Sequence, residues 1–130
     1  MLHTMIRVGS LERSVAFYRD ALGMTELRRE DYPDGRFTLA FLGYGDEAQH
    51  SVIELTFNYG ETEYARGTGF GHIAFAVSDI NAAFERLAAM GVTIIRKPGP
   101  MTHAATNGQR DVIAFVEDPD GYRIELIEVC

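Results

Sequence analysis

Cysteine is nearly absent from this sequence: its single copy, Cys130, is the last residue, so no disulfide can close within the chain and a reducing compartment fits. Long apolar runs are missing as well. Although 46% of the residues are hydrophobic, no stretch approaches the ~20 that a membrane helix needs. The N-terminus, Met1-Leu2-His3-Thr4-Met5, has neither the basic stretch nor the apolar segment of a secretory signal. A soluble, cytoplasmic protein with no membrane role is the expectation. Basic clusters are lacking too: the net charge is −7 and no helix face is rich in Lys or Arg, which argues against nucleic acid as a partner. The glycines at 43, 45, 67, 69 and 71 are followed by no helix, so they do not form a phosphate-binding loop. Small molecules remain the expected partners.

What the chain does have is a pattern written twice. Setting Arg7-Val8-Gly9-Ser10-Leu11 over Ala76-Val77-Ser78-Asp79-Ile80 aligns His3 with His72. Further on, Leu39-Ala40-Phe41-Leu42 matches Ile113-Ala114-Phe115-Val116, and Ile53-Glu54-Leu55 returns as Ile124-Glu125-Leu126. Each half opens with an alternating strand, residues 3–8 or 72–77, and then an N-cap, Ser10 or Asp79. A helix should follow. Leu11, Val15, Tyr18 and Leu22 share one helical stripe, as do Ile80, Phe84 and Leu87, and Gly23 and Gly91 supply the stops. Three strands complete each half: 25–29, 36–43 and 51–57, then 93–97, 111–117 and 122–128. Asp34-Gly35 and Asp118-Pro119-Asp120-Gly121 provide turn chemistry. The fold class expected is therefore α+β, a βαβββ module at 1–59 and another at 71–130, joined by a linker at 60–70.

Side chains alternate across a strand, which sorts the polar residues by face. His3, Met5 and Arg7 point away from the helix-covered face, as do His72, Ala74 and Ala76. Glu54 shares its face with Val52, Thr56 and Asn58, between the core residues Ile53 and Leu55; Glu125 is flanked likewise by Ile124 and Leu126. A lone carboxylate in an apolar strand is costly to bury unless it is paired or bound to a cation. Two histidines and two carboxylates at repeat-related positions make a plausible mixed N/O metal site, with room for water around an octahedral ion. The plainer alternative is that each is a solvent-facing strand residue; their repeat relation weighs against all four being incidental. His50 and His103 read as exposed loop histidines, and Phe17-Tyr18 and Phe70 as packing residues.

Nearly the whole chain resembles the short bacterial type of glyoxalase I, in the vicinal oxygen chelate (glyoxalase/bleomycin-resistance) superfamily. The resemblance runs through residues 3–8, Val52-Ile53-Glu54-Leu55-Thr56-Phe57-Asn58, Gly71-His72-Ile73-Ala74 and residues 114–122 into Ile124-Glu125-Leu126. It implies isomerisation of the methylglyoxal–glutathione hemithioacetal to S-lactoylglutathione, a detoxifying lyase activity. It also implies His3, Glu54, His72 and Glu125 as metal ligands, with Glu125 the first choice as general acid/base and Glu54 its counterpart. Arg7 and Asn58 match the family's glutathione-contacting positions. The short chain is similar to the group that prefers nickel or cobalt, with zinc possible, and the family builds each site across a homodimer interface. One departure stands out: the Met101–Arg110 loop is longer than in the short bacterial enzymes, in a region that borders the thiol pocket in the family.

Other members of the superfamily supply the competing expectations. An epimerase or a ring-cleaving dioxygenase is one; the dioxygenase would use two histidines and one carboxylate with iron, so a fourth ligand counts against it. A drug-binding dimer of the bleomycin-resistance type is another, and it would need no metal.

Overall fold

The computed structural model describes residues 1–129; Cys130, the terminal thiol discussed above, lies outside the described residues. The chain divides into two compact units, Met1–Arg66 and Gly67–Cys130. In the first, β1 (His3–Arg7) leads through α1 (Leu11–Ala16) and a π-helical segment (Phe17–Ala21) into β2 (Thr25–Tyr32), β3 (Phe37–Gly43) and β4 (Val52–Asn58). The sheet order is β1-β4-β3-β2, with β1 and β4 parallel and the other pairs antiparallel. The second unit repeats this plan with β5 (Ile73–Val77), α2 (Ile80–Ala89), β6 (Thr93–Pro100), β7 (Val112–Glu117) and β8 (Arg123–Glu128), in the order β5-β8-β7-β6. Both units are thus βαβββ, as the sequence repeat leads one to expect. No helix among the described residues is long and apolar enough to cross a membrane.

Each helix is started by the residue the sequence offers. Ser10 Oγ accepts the Arg13 N–H, and Asp79 Oδ1 accepts the Ala82 N–H at 3.0 Å, each satisfying one orphan donor of a first turn. Gly23 and Gly91 end the helical segments with φ of +74° and +78°, where a side chain would be strained. Removal of the second cap, Asp79→Ala, is expected to cost about 1 kcal/mol of unfolding free energy, measured by denaturant titration. A loss within error would mean that the cap hydrogen bond contributes nothing to stability.

The helical stripes bury as the periodicity requires except at Phe84, which is only half-buried, and in the last turn of the first helix, where more residues are buried than the stripe holds. Leu11, Val15, Tyr18 and Leu22 are buried, but so are Ser14, Phe17 and Ala21. Leu22 N–H reaches back five residues to the Phe17 carbonyl, so the last turn is wider than an α-turn. Under α2, Ile80 and Leu87 are fully buried where the helix packs on β6, β7 and β8 of the second sheet.

Three further departures have local causes. Strands β2 and β6 run to Tyr32 and Pro100, beyond the expected 29 and 97. Both are sheet edges, where charged residues face water and Pro98 and Pro100 forfeit no ladder bond that the sheet needs. In the Pro33–Arg36 turn, closed by Arg36 N–H to the Pro33 carbonyl at 3.2 Å, it is Arg36 (φ +59°) and not Gly35 that takes the left-handed conformation. The Asp118–Gly121 turn does form: the buried Asp118 accepts the N–H groups of Asp120 and Tyr122 at 2.9 Å each, and Gly121 takes φ +86°.

Candidate functional site

Strand register, rather than sequence proximity, brings the candidate residues together. In the first unit Met5 lies beside Glu54 and His3 beside Val52, so His3 and Glu54 are diagonal neighbours on the face opposite α1. Their side chains meet, with His3 Nε2 2.8 Å from Glu54 Oε2. In the second unit Ala74 lies beside Glu125, and His72, just before β5, brings its Nε2 to the same 2.8 Å from Glu125 Oε2. The carboxylates are the sheltered partners: the Glu54 and Glu125 side chains are 13% and 11% exposed, against 36% and 43% for His3 and His72. A carboxylate so withdrawn from water needs a donor or a cation, and the imidazole supplies one.

Each imidazole is braced by a phenylalanine on the next strand but one. Phe41, directly opposite Glu54 in β3, meets the His3 ring edge to face with centroids 5.6 Å apart. Phe115, directly opposite Glu125 in β7, does the same for His72 at 5.4 Å. These rings were in plain view as part of the Leu39-Ala40-Phe41 and Ile113-Ala114-Phe115 repeat, but sequence reasoning read them only as strand pattern. The missing signal was their parity with the carboxylates, which becomes meaningful once β3 is known to neighbour β4 and β7 to neighbour β8.

The remaining candidates of the first unit lie on the same sheet face. Arg7, exposed, is beside Thr56, and Asn58 follows two residues further along β4. Asn58 donates its amide N–H to the Tyr64 hydroxyl at 3.2 Å. Arg28 lies over the Phe41 ring, 3.7 Å from the centroid, and is bound by Glu47 and Glu30. Its hydrogen bonds hold the Glu47 carboxyl below the ordinary glutamate range, and Glu30 is held down by Tyr32 and then by Arg28. His50 and His103 are exposed and take no part in either pair.

The donor set suits a hard or borderline divalent cation. Each unit brings two such donors together. No group of three or more His, Cys, Asp or Glu placed to hold an ion occurs among the described residues.

The profile of the Glyoxalase/Bleomycin resistance protein/Dioxygenase superfamily matches residues 1–126. The chain belongs to that superfamily. Among curated relatives, a probable lactoylglutathione lyase from Synechocystis is 56% identical over 98% of this chain and 94% of its own length. The lactoylglutathione lyase of Neisseria meningitidis serogroup A is 55% identical over 98% of this chain and 89% of its own. Of solved structures, glyoxalase I from Zea mays superposes with a TM-score of 0.90 at 45% identity; it covers all of this chain, which spans only 44% of the maize chain. The trypanothione-dependent glyoxalase I of Leishmania major gives 0.83 at 45% identity, over 98% of this chain and 85% of its own. Membership accounts for the doubled βαβββ plan and leaves chemistry to the His–Glu pairs, since the same superfamily fold carries several activities.

Proposed function

We propose that this chain is a glyoxalase I, converting the hemithioacetal of methylglyoxal and glutathione to S-lactoylglutathione, with His3, Glu54, His72 and Glu125 as the ligands of one divalent ion per site. The observation that carries this reading is the His–Glu contact made at 2.8 Å in both units of a chain more than half identical to lactoylglutathione lyases. By the family resemblance, the proposal includes a homodimer in which His3 and Glu54 act with His72 and Glu125 of the partner subunit. Nickel or cobalt is favoured by the resemblance to the short bacterial enzymes, and zinc also fits, because imidazole and carboxylate together suit several divalent ions. A cytoplasmic location, where glutathione is kept reduced, completes the reading.

The bound ion supplies Lewis-acid stabilisation to substrate oxygens as the carbon-bound proton is removed. The protein does the rest. Glu125 is the proposed proton carrier: its carboxylate, withdrawn from water, can take a proton from one carbon and return it to the next if both lie within reach. Glu54 is its counterpart on the other side. Arg7 offers a cation to a glutathione carboxylate, and Asn58 an amide beside it.

The decisive assay adds nickel, cobalt or zinc singly to metal-free protein with methylglyoxal and glutathione, and follows thioester absorbance in the ultraviolet. Product should form only in loaded protein, most rapidly with nickel or cobalt. Equal turnover without metal, or none with any ion, would defeat the proposal. In the same assay, Arg7→Ala should raise the half-saturating hemithioacetal concentration by about tenfold or more, the loss expected for one charge-assisted hydrogen bond, with metal content unchanged. Unaltered saturation would place the substrate carboxylate elsewhere.

A further inference from the structure

Behind the His3–Glu54 pair runs a cross-strand row that the proposed chemistry does not use. Arg28 of β2 lies opposite Phe41 of β3, which lies opposite Glu54 of β4. The second unit repeats it as Arg96, Phe115 and Glu125. A row kept at matching places in both units, each time ending at the carboxylate and each time with the phenylalanine against the histidine, is a built feature of the module. The two arginines are employed differently. Arg96 donates to the carbonyls of Gly99, Pro100 and Ile113, tying down the end of β6. Arg28 instead caps the Phe41 ring, with its guanidinium carbon 3.7 Å from the centroid.

We infer that Arg28 is a positioning residue for the His3–Glu54 pair, acting through Phe41. The inference rests on the metal-site reading above. Phe41 is 3% exposed and fixed in the sheet, so a cation on its face and an imidazole at van der Waals range leave the ring little freedom. His3 lies on an edge strand and is 36% exposed at its side chain, so the Phe41 ring is one of the surfaces that hold its Nε2 toward Glu54. Arg28 is in turn held by three contacts. Its Nε and Nη2 bind the two oxygens of Glu47 at 2.7 and 3.0 Å, and its Nη1 binds Glu30 at 2.9 Å. With each of its three nitrogens already on a carboxylate, Arg28 is arranged to hold a ring in place rather than to receive a substrate anion. A planar guanidinium serves this better than an ammonium, because it stacks and forks at once.

The test is cobalt(II) titration of the metal-free full-length protein, read by its visible absorption, alongside steady-state kinetics. Arg28→Met, which keeps an apolar stem on Phe41 without the charge, should weaken cobalt binding by about tenfold, the low end for residues that orient ligands, and shift the cobalt bands. KM for the hemithioacetal should stay within twofold of wild type. Arg28→Lys should recover part of the affinity, and Glu47→Gln, which frees the fork but leaves Arg28 and Phe41 in place, should reproduce part of the loss. Cobalt affinity and bands unchanged in Arg28→Met would overturn the inference. So would a raised KM with cobalt binding intact, which would make Arg28 a substrate anchor. Wild-type protein that takes up no cobalt would overturn the functional proposal and this inference together, whereas normal uptake by wild type and all variants overturns the inference alone.

Discussion

Glu54→Ala protein should emerge from dialysis without stoichiometric metal, and His72→Ala protein likewise. Residues that merely orient ligands typically cost 10–100-fold in metal affinity, so removal of a ligand should cost more than about a hundredfold. Each substitution also strands its partner. Glu54 and Glu125 are the sheltered members of their pairs, and without the imidazole at 2.8 Å a withdrawn carboxylate loses its donor. Two measurements separate loss of metal from loss of fold. Elemental analysis reports content, and a thermal scan with and without added nickel reports linkage, because an ion that binds the native state raises the melting temperature in proportion to ln(1 + [L]/Kd). Wild type should show the rise and both variants should lack it. Full metal content in either variant would remove that residue from the site and return it to the role of a solvent-facing strand residue.

Much of this arrangement is visible in the sequence because strand parity is a strict code. Ile53 and Leu55 must face one way, so Glu54 must face the other, and the repeat assigns Glu125 the same role. The contact between His3 and Glu54 is not visible in that way. It depends on β1 lying parallel beside β4, a pairing between segments some fifty residues apart whose register no local pattern states. Phe41 and Arg28 were overlooked for the same reason, since their relation to Glu54 crosses two strand pairs. Other misses are cases where context decided between local options. The 11–22 stripe is compatible with a regular helix, and nothing in it marks the wider last turn in which the Leu22 N–H bonds the Phe17 carbonyl. Pro98 and Pro100 end a strand by rule, yet β6 continues through them because its outer side has no neighbour. Asp34-Gly35 marks the hairpin turn correctly, but the left-handed residue is Arg36, whose carbonyl then accepts the Tyr59 N–H at 2.9 Å.

Glu125→Gln should keep part of its metal and lose two to four orders of magnitude in turnover, roughly the range for acid/base groups. Glutamine has nearly the same shape and retains an oxygen that can coordinate, so the variant isolates proton transfer from ligation, which alanine would remove together. Position favours this residue as the carrier over Glu54. Glu125 is 8% exposed as a residue and lies in the centre of its sheet, between Ala74 and Phe115, so the small alanine leaves room on the open face while the phenylalanine shields the carboxylate. Glu54 has the longer Met5 in the place of that alanine. Substrate should still bind, because neither Arg7 nor Asn58 is touched. Turnover in deuterium oxide supplies the second reading: solvent deuterium appears in the product when the carried proton exchanges before it is returned. A metal-loaded glutamine variant that turns over at close to the wild-type rate would leave Glu125 as a ligand alone, and the proton carrier would then have to be sought at Glu54, where Glu54→Gln should in that case show the full loss.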